Sequence, residues 1–175
     1  MKLRIGGAGD AVALLAMCDD AVAWLTGEGL GGQWGTRPWS EDPARVARVH
    51  RMVSDEELWI AEIDDRLAGA LILTEQAPVH VPPADQSELY VLFLITAREF
   101  ADRGVGRGLL DHARRRAHNL GVSLMRVDCW AGADGALLNY YRTAGFTPTV
   151  GFTHHGWAGQ VLEQRLLCSP DQPWA

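Results

Sequence analysis

The sequence has almost no lysine: Lys2 stands alone against fifteen arginines. A P-loop needs lysine beside its glycines, in GxxxxGK[ST], so that phosphate-binding device is excluded. Cysteine is sparse. Cys18, Cys129 and Cys168 are odd in number, widely spaced and form no CxxC pair, which indicates neither a disulfide framework nor a zinc site. None of the six histidines falls in HxxxH or HExxH spacing, so no bound metal is expected. No run approaches the roughly 18 apolar residues of a membrane span. The opening MKLRIGGAGD leads into a strand pattern and not a signal peptide, and the expectation is a cytoplasmic protein without a membrane partner. An excess of basic charge is also missing. The net charge of −6 argues against nonspecific nucleic-acid binding. It mildly favours a cationic small substrate, or serves solubility alone.

What is present is a chain of 175 residues, 47% hydrophobic, enough for one domain over residues 1–175 with a full core. Periods of 2 and 3.6 alternate along it without repeats. Leu3 to Ile5 reads as a strand. After it, Asp10 precedes a helix whose apolar positions Leu14, Cys18, Val22 and Leu25 share one face. Glu28 to Asp42 forms a long loop holding Trp34 and Trp39. Asp42 followed by Pro43 starts a second helix with Val46, Val49 and Val53 inward. Leu58–Ile63 and Leu67–Leu73 read as an antiparallel hairpin, and Glu88–Thr96 as a further strand. A helix from about Val105 to Leu120, a strand from Leu124 to Trp130, a helix around Ala136–Ala144 and strands Phe146–Phe152 and Gln160–Leu167 follow. The order is βααβββαβαββ, with one parallel crossover around the third helix.

That third helix opens on ADRGVGRGLL, with Gly104, Gly106 and Gly108 at alternating positions. Each glycine weakens a helix by about 1 kcal/mol relative to alanine. A glycine turn at a helix N-terminus gathers backbone N–H groups and the positive end of the helix dipole, suiting a phosphate or pyrophosphate. The alternative is a turn that only packs closely on a neighbouring strand. The dinucleotide fingerprint GxGxxG is not met, because Leu109 stands where its last glycine belongs.

The stretch resembles the acyl-CoA loop [QR]xxGx[GA] of the GCN5-related N-acetyltransferase (GNAT) family. Two registers fit: Arg103, Gly106 and Gly108, or Ala101, Gly104 and Gly106, the latter departing at its first position. YYRTAGF, Tyr140 to Phe146, resembles the family's YxxxGF, with Tyr141 in the tyrosine position. Asp134 stands where the family often has asparagine. The motifs span about residues 88 to 150; the first half of the chain matches only in element order.

The resemblance implies a mixed α/β fold: a mostly antiparallel sheet of six to seven strands, its fourth and fifth splayed, flanked by about four helices. It implies acetyl-CoA as co-substrate and direct acetyl transfer to an amine through a tetrahedral intermediate. The thioester would lie beside Leu94, Ile95 and Thr96, with an N–H near Thr96 steadying the oxyanion. The pyrophosphate would lie on Arg103, Gly104, Val105, Gly106, Arg107 and Gly108. Arg107, Arg114, Arg115 and Arg116 are candidates for the 3′-phosphate of CoA, or a solvated helix face. Tyr141 would protonate the departing sulfur, with Tyr140 as a competing assignment. Glu88 is the preferred base over Asp128. Trp34 and Trp39 would wall the acceptor by cation–π contact, or cap the core. Cys129 reads as a small strand residue. The acceptor is a small-molecule or peptide amine, and oligomeric state is open, a homodimer included. A non-catalytic acyl-CoA sensor of the same fold and a nucleotide-binding α/β protein are the competing readings.

Overall fold

The computed structural model describes residues 1–132 and 135–167; Asp134 and Cys168 lie outside them. Its frame is a seven-stranded sheet in the order β1-β2-β3-β4-β5-β7-β6. The strands are β1 (Lys2–Ile5), β2 (Glu57–Ile63), β3 (Arg66–Thr74), β4 (Leu89–Thr96), β5 (Leu124–Trp130), β6 (Thr147–His154) and β7 (Trp157–Arg165). All neighbours are antiparallel except β4 and β5. The helices are α1 (Ala11–Gly27), α2 (Pro43–Asp55), α3 (Val105–Asn119) and α4 (Ala136–Thr143).

Local chemistry accounts for these elements. Leu14, Cys18, Val22 and Leu25 are buried along one face of α1. At the start of α2 the Asp42 carboxylate accepts the Ala44 N–H at 2.9 Å, and Pro43 occupies a first-turn position where its missing N–H does no harm. Asp64 and Asp65, both at positive φ, turn β2 into β3 in the manner of a tight hairpin. The helices cover both faces of the sheet. One core joins α3 and α4 to it through Val105, Leu109, Leu110 and Tyr141. The other joins α1 and α2 through Leu14, Val22, Val49 and Val53.

A bulge in β4 decides which side chains meet which core. Phe93 pairs with Ile72 and Val91 with Leu73, leaving Leu92 as the extra residue. Side chains alternate strictly along a regular strand, so one inserted residue reverses the facing of all that follow. Leu89 and Val91 therefore pack toward α3, whereas Phe93 and Ile95 pack toward α1 and α2.

The bulge coincides with the end of pairing between β4 and β5. Their rungs are Leu89 with Met125, Tyr90 with Arg126 and Val91 with Val127, and beyond these they part. Just below the parting, Glu88 and Arg126 form a bidentate ion pair at 2.5 and 3.0 Å. Arg126 also donates to the Pro82 carbonyl at 2.9 Å. Glu88 is 7% exposed and Arg126 5%, so neither charge is replaced by water if its partner is lost. Removing one member of such a buried pair typically costs about 3–5 kcal/mol. Glu88→Ala is accordingly expected to lower the unfolding free energy by about that amount in a denaturant titration. A loss below about 1 kcal/mol, the value of a surface pair, would contradict the clamp.

Candidate active site

The gap between the parted strands opens into a cavity of about 340 Å³. Its floor is Val91–Leu94 of β4 and Val127–Trp130 of β5. Trp34, Trp39, Arg45 and Arg48 wall it on one side, with His80, His154 and Trp157 also contributing, and Tyr141 and Leu137 of α4 line it too. The Trp157 indole donates to the Gln33 carbonyl at 3.0 Å, tying the long loop after α1 to the start of β7.

The glycine turn belongs to the same end of β4. Gly104 precedes α3 at φ 75°, left-handed backbone that side chains rarely tolerate. The first amide to bond back is that of Gly108, to the Gly104 carbonyl at 2.9 Å. Among the described residues the amides of Val105, Gly106 and Arg107 have no protein acceptor, as at any uncapped helix start. A β-carbon at Gly106 would collide with the Tyr140 hydroxyl and approach Thr96 Oγ1 to 3.4 Å. One at Gly108 would instead meet the Met1 side chain. Gly104 therefore faces open space, while Gly106 lies close against Tyr140 and Thr96 and Gly108 against Met1. Val105 is buried in the core.

The other site expectations divide. Leu94 lines the cavity; Ile95 is turned by the bulge into the α1–α2 core, and Thr96 pairs with Gly69 beside the start of α3. The cavity's stretch of β4 thus lies a few residues earlier than expected, around Leu92. Arg103 rests over the Phe100 ring at 5.3 Å. Arg116 is committed to Glu57 at 2.7 Å, and Arg114 to Asp111, Gln164 and the Ala144 carbonyl. Arg107 lies near Tyr140 and has no carboxylate partner among the described residues. The tyrosines separate cleanly. Tyr141 lines the cavity, edge-on to Phe146 at 5.8 Å, while Tyr140 leans toward Gly106. Burial holds the Tyr141 phenol well above its ordinary value, so it stays protonated. Burial likewise pushes the Cys129 thiol up to about 12, leaving no thiolate for a nucleophile.

Glu88 does not stand where a base is needed. It shares the facing of Tyr90, as alternation suggests, but Arg126 occupies both its oxygens and it does not line the cavity. Asp128 does line it, one residue past the last rung, with the Tyr90 hydroxyl donating to Oδ1. Trp39 is buried and its ring already carries the Arg45 guanidinium at 4.9 Å, whereas Trp34 stacks on Phe93 at 5.7 Å. Both tryptophans are wall, and neither offers a vacant cage for a cation. The sequence reading missed Arg45, Arg48, His80, His154 and Trp157. Arg45 and Arg48 sit one turn apart on α2, a spacing visible in the sequence, but nothing local marks them as facing a cavity.

Comparison with known proteins agrees with this geometry. The family model described as the acetyltransferase (GNAT) family matches residues 20–146. No curated protein matches the chain. Among solved structures, a ribosomal-protein-alanine N-acetyltransferase from Brucella melitensis superposes with a TM-score of 0.62 at 20% identity, covering 95% of this chain and 100% of its own. A putative acetyltransferase from Salmonella typhimurium, solved with acetyl-CoA, gives 0.65 at 18% identity, covering 100% of this chain and 96% of its own. One from Rhodopseudomonas palustris, described as a GCN5-related N-acetyltransferase, gives 0.69 at 18%, covering 94% and 95%. At these identities the structures establish the shared fold, while the family match spans well over half the chain. With the strand gap, the open α3 start and the YxxxGF tyrosine on the cavity wall, the chain belongs to the GNAT acetyltransferase family.

Proposed function

We propose that this enzyme transfers the acetyl group of acetyl-CoA directly to a primary amine of a small molecule or peptide in the cavity between β4 and β5. The observation that carries the reading is the loss of pairing after Val91 and Val127, where the cavity opens between the two strands. The residues present fit the donor. The amides of Val105, Gly106 and Arg107 receive the pyrophosphate, with Arg107 and the Tyr140 hydroxyl beside them. Unpaired backbone of β4 around Leu92–Leu94 receives the amide groups of the pantetheine arm, as an added strand would. When bound, the thioester supplies an activated acetyl group.

The remaining chemistry is proton handling. Asp128 holds the incoming ammonium and takes its proton, directly or through water, while the Tyr90 hydroxyl fixes one carboxylate oxygen. Tyr141, kept protonated by burial, donates to the departing sulfur. The wall of Trp34, Trp39 and Trp157 limits the water that competes with the amine. Two of the structural neighbours are named for acting on a ribosomal-protein alanine, which keeps peptide N-termini among the acceptors to test.

Thiol release from acetyl-CoA against an amine panel tests the reading. Binding without turnover on any amine would favour an acyl-CoA sensor. Tyr141→Phe is expected to retain CoA affinity within about twofold while slowing turnover by about 10²-fold. Gly106→Val, which intrudes on the pyrophosphate position, is expected to lose CoA binding in calorimetry; unchanged affinity would refute the loop assignment.

Asp128→Asn is expected to lower kcat/KM by about 10²-fold at neutral pH. Much of that loss should return as the pH is raised and the amine deprotonates in solution. A uniform loss across pH would assign Asp128 to structure.

A further inference from the structure

We propose that the acceptor carries a carboxylate as well as its amine, and that Arg48 binds this carboxylate, making the substrate an amino-acid-like zwitterion. The inference rests on reading the cavity as the acceptor side. Helix α2 brings Arg45 and Arg48 to the cavity wall. Arg45 is already engaged: Asp42 lies 3.6 Å from it, it donates to the Trp34 carbonyl, and it covers the Trp39 ring. Arg48 has no ion pair and no hydrogen bond to protein among the described residues. Its side chain lines the cavity while the residue remains exposed to water. An unpaired guanidinium on a cavity wall is a ready partner for an anionic group of a ligand.

The cavity also fixes the kind of anion. A guanidinium fork matches a carboxylate through two parallel hydrogen bonds. A phosphate dianion would want a second positive charge. The other guanidinium on this wall, that of Arg45, is taken up by Asp42 and the Trp34 carbonyl, and His80 is held toward its neutral form by burial. Asp128 feels the charge of Arg48 yet makes no ion pair with it, so the two opposite charges stand apart on the walls of one cavity. A molecule with an ammonium for Asp128 and a carboxylate for Arg48 fits between them. Trp34, Phe93 and Trp157 leave an apolar surface for its side chain.

The experiment uses the full chain with saturating acetyl-CoA and matched pairs of amines: tryptophan with tryptamine, and phenylalanine with phenethylamine. Phosphoethanolamine and a dipeptide amide supply two further arms. At least one amino acid is expected to exceed its decarboxylated partner by tenfold or more in kcat/KM, mainly through KM. Arg48→Gln should bring that ratio close to one, with CoA affinity and thermal unfolding unchanged to show that the fold persists, and Arg48→Lys should restore part of it. Amines turned over without regard to a carboxylate, a ratio that survives Arg48→Gln, or preference for the phosphate or the dipeptide amide would overturn this proposal and leave acetyl transfer standing. Failure of every amine to release thiol while acetyl-CoA still binds would overturn both.

Discussion

The structure depends on a deliberate failure of hydrogen bonding. Parallel strands β4 and β5 share three rungs and then separate, leaving backbone donors and acceptors without strand partners inside a folded protein. Unpaired backbone is costly wherever water is excluded, and so a gap of this kind persists only where solvent or a ligand reaches it. Two features hold it open. The Leu92 bulge turns β4 out of register at the parting, and the Glu88–Arg126 pair ties the strands together just beneath it. The same carboxylate that looks like a base in the sequence thus supports the gap from outside it.

The start of α3 likewise leaves donors without protein partners among the described residues. Gly104 supplies the left-handed step into the helix and Gly106 removes the side chain that would crowd Tyr140. Val105 between them is buried, so the alternation of glycine and an apolar residue is a compromise between bare backbone and anchorage in the core. Gly108 lies outside that compromise, under Met1.

Much of the fold was legible because periodicity and punctuation are local properties. The Asp42–Pro43 start, the Asp64–Asp65 turn and the single α3 crossover each follow from a few adjacent residues, and all occur as read. Tyr141 was separable from Tyr140 by its spacing to Gly145 alone, and the cavity wall holds Tyr141. The site was legible less well, for two physical reasons. A one-residue bulge leaves no trace in composition, yet it moved Ile95 into the other core and shifted the cavity toward Leu92. Partners distant in sequence were equally invisible: Glu88 and Arg126 are separated by 38 positions, and nothing near either one announces the other. Trp34 and Trp39, read as a wall for the acceptor, line the cavity, but their rings are occupied by Phe93 and Arg45.

Charge shows the same distance between global and local description. A net charge of −6 suggests attraction for cations, and at long range that field does act. Inside a cavity of about 340 Å³ the interaction is set by the few groups on its walls, because a low local dielectric strengthens near charges. There the acidic protein presents Arg45 and Arg48 against Asp128. Arg45 is committed to Asp42 and the Trp34 carbonyl, so among the described residues of the wall Arg48 and Asp128 stand as opposite charges without an ion pair between them. The surface field then acts on charged molecules at long range, while the charges of α2 and β5 set the field inside the cavity.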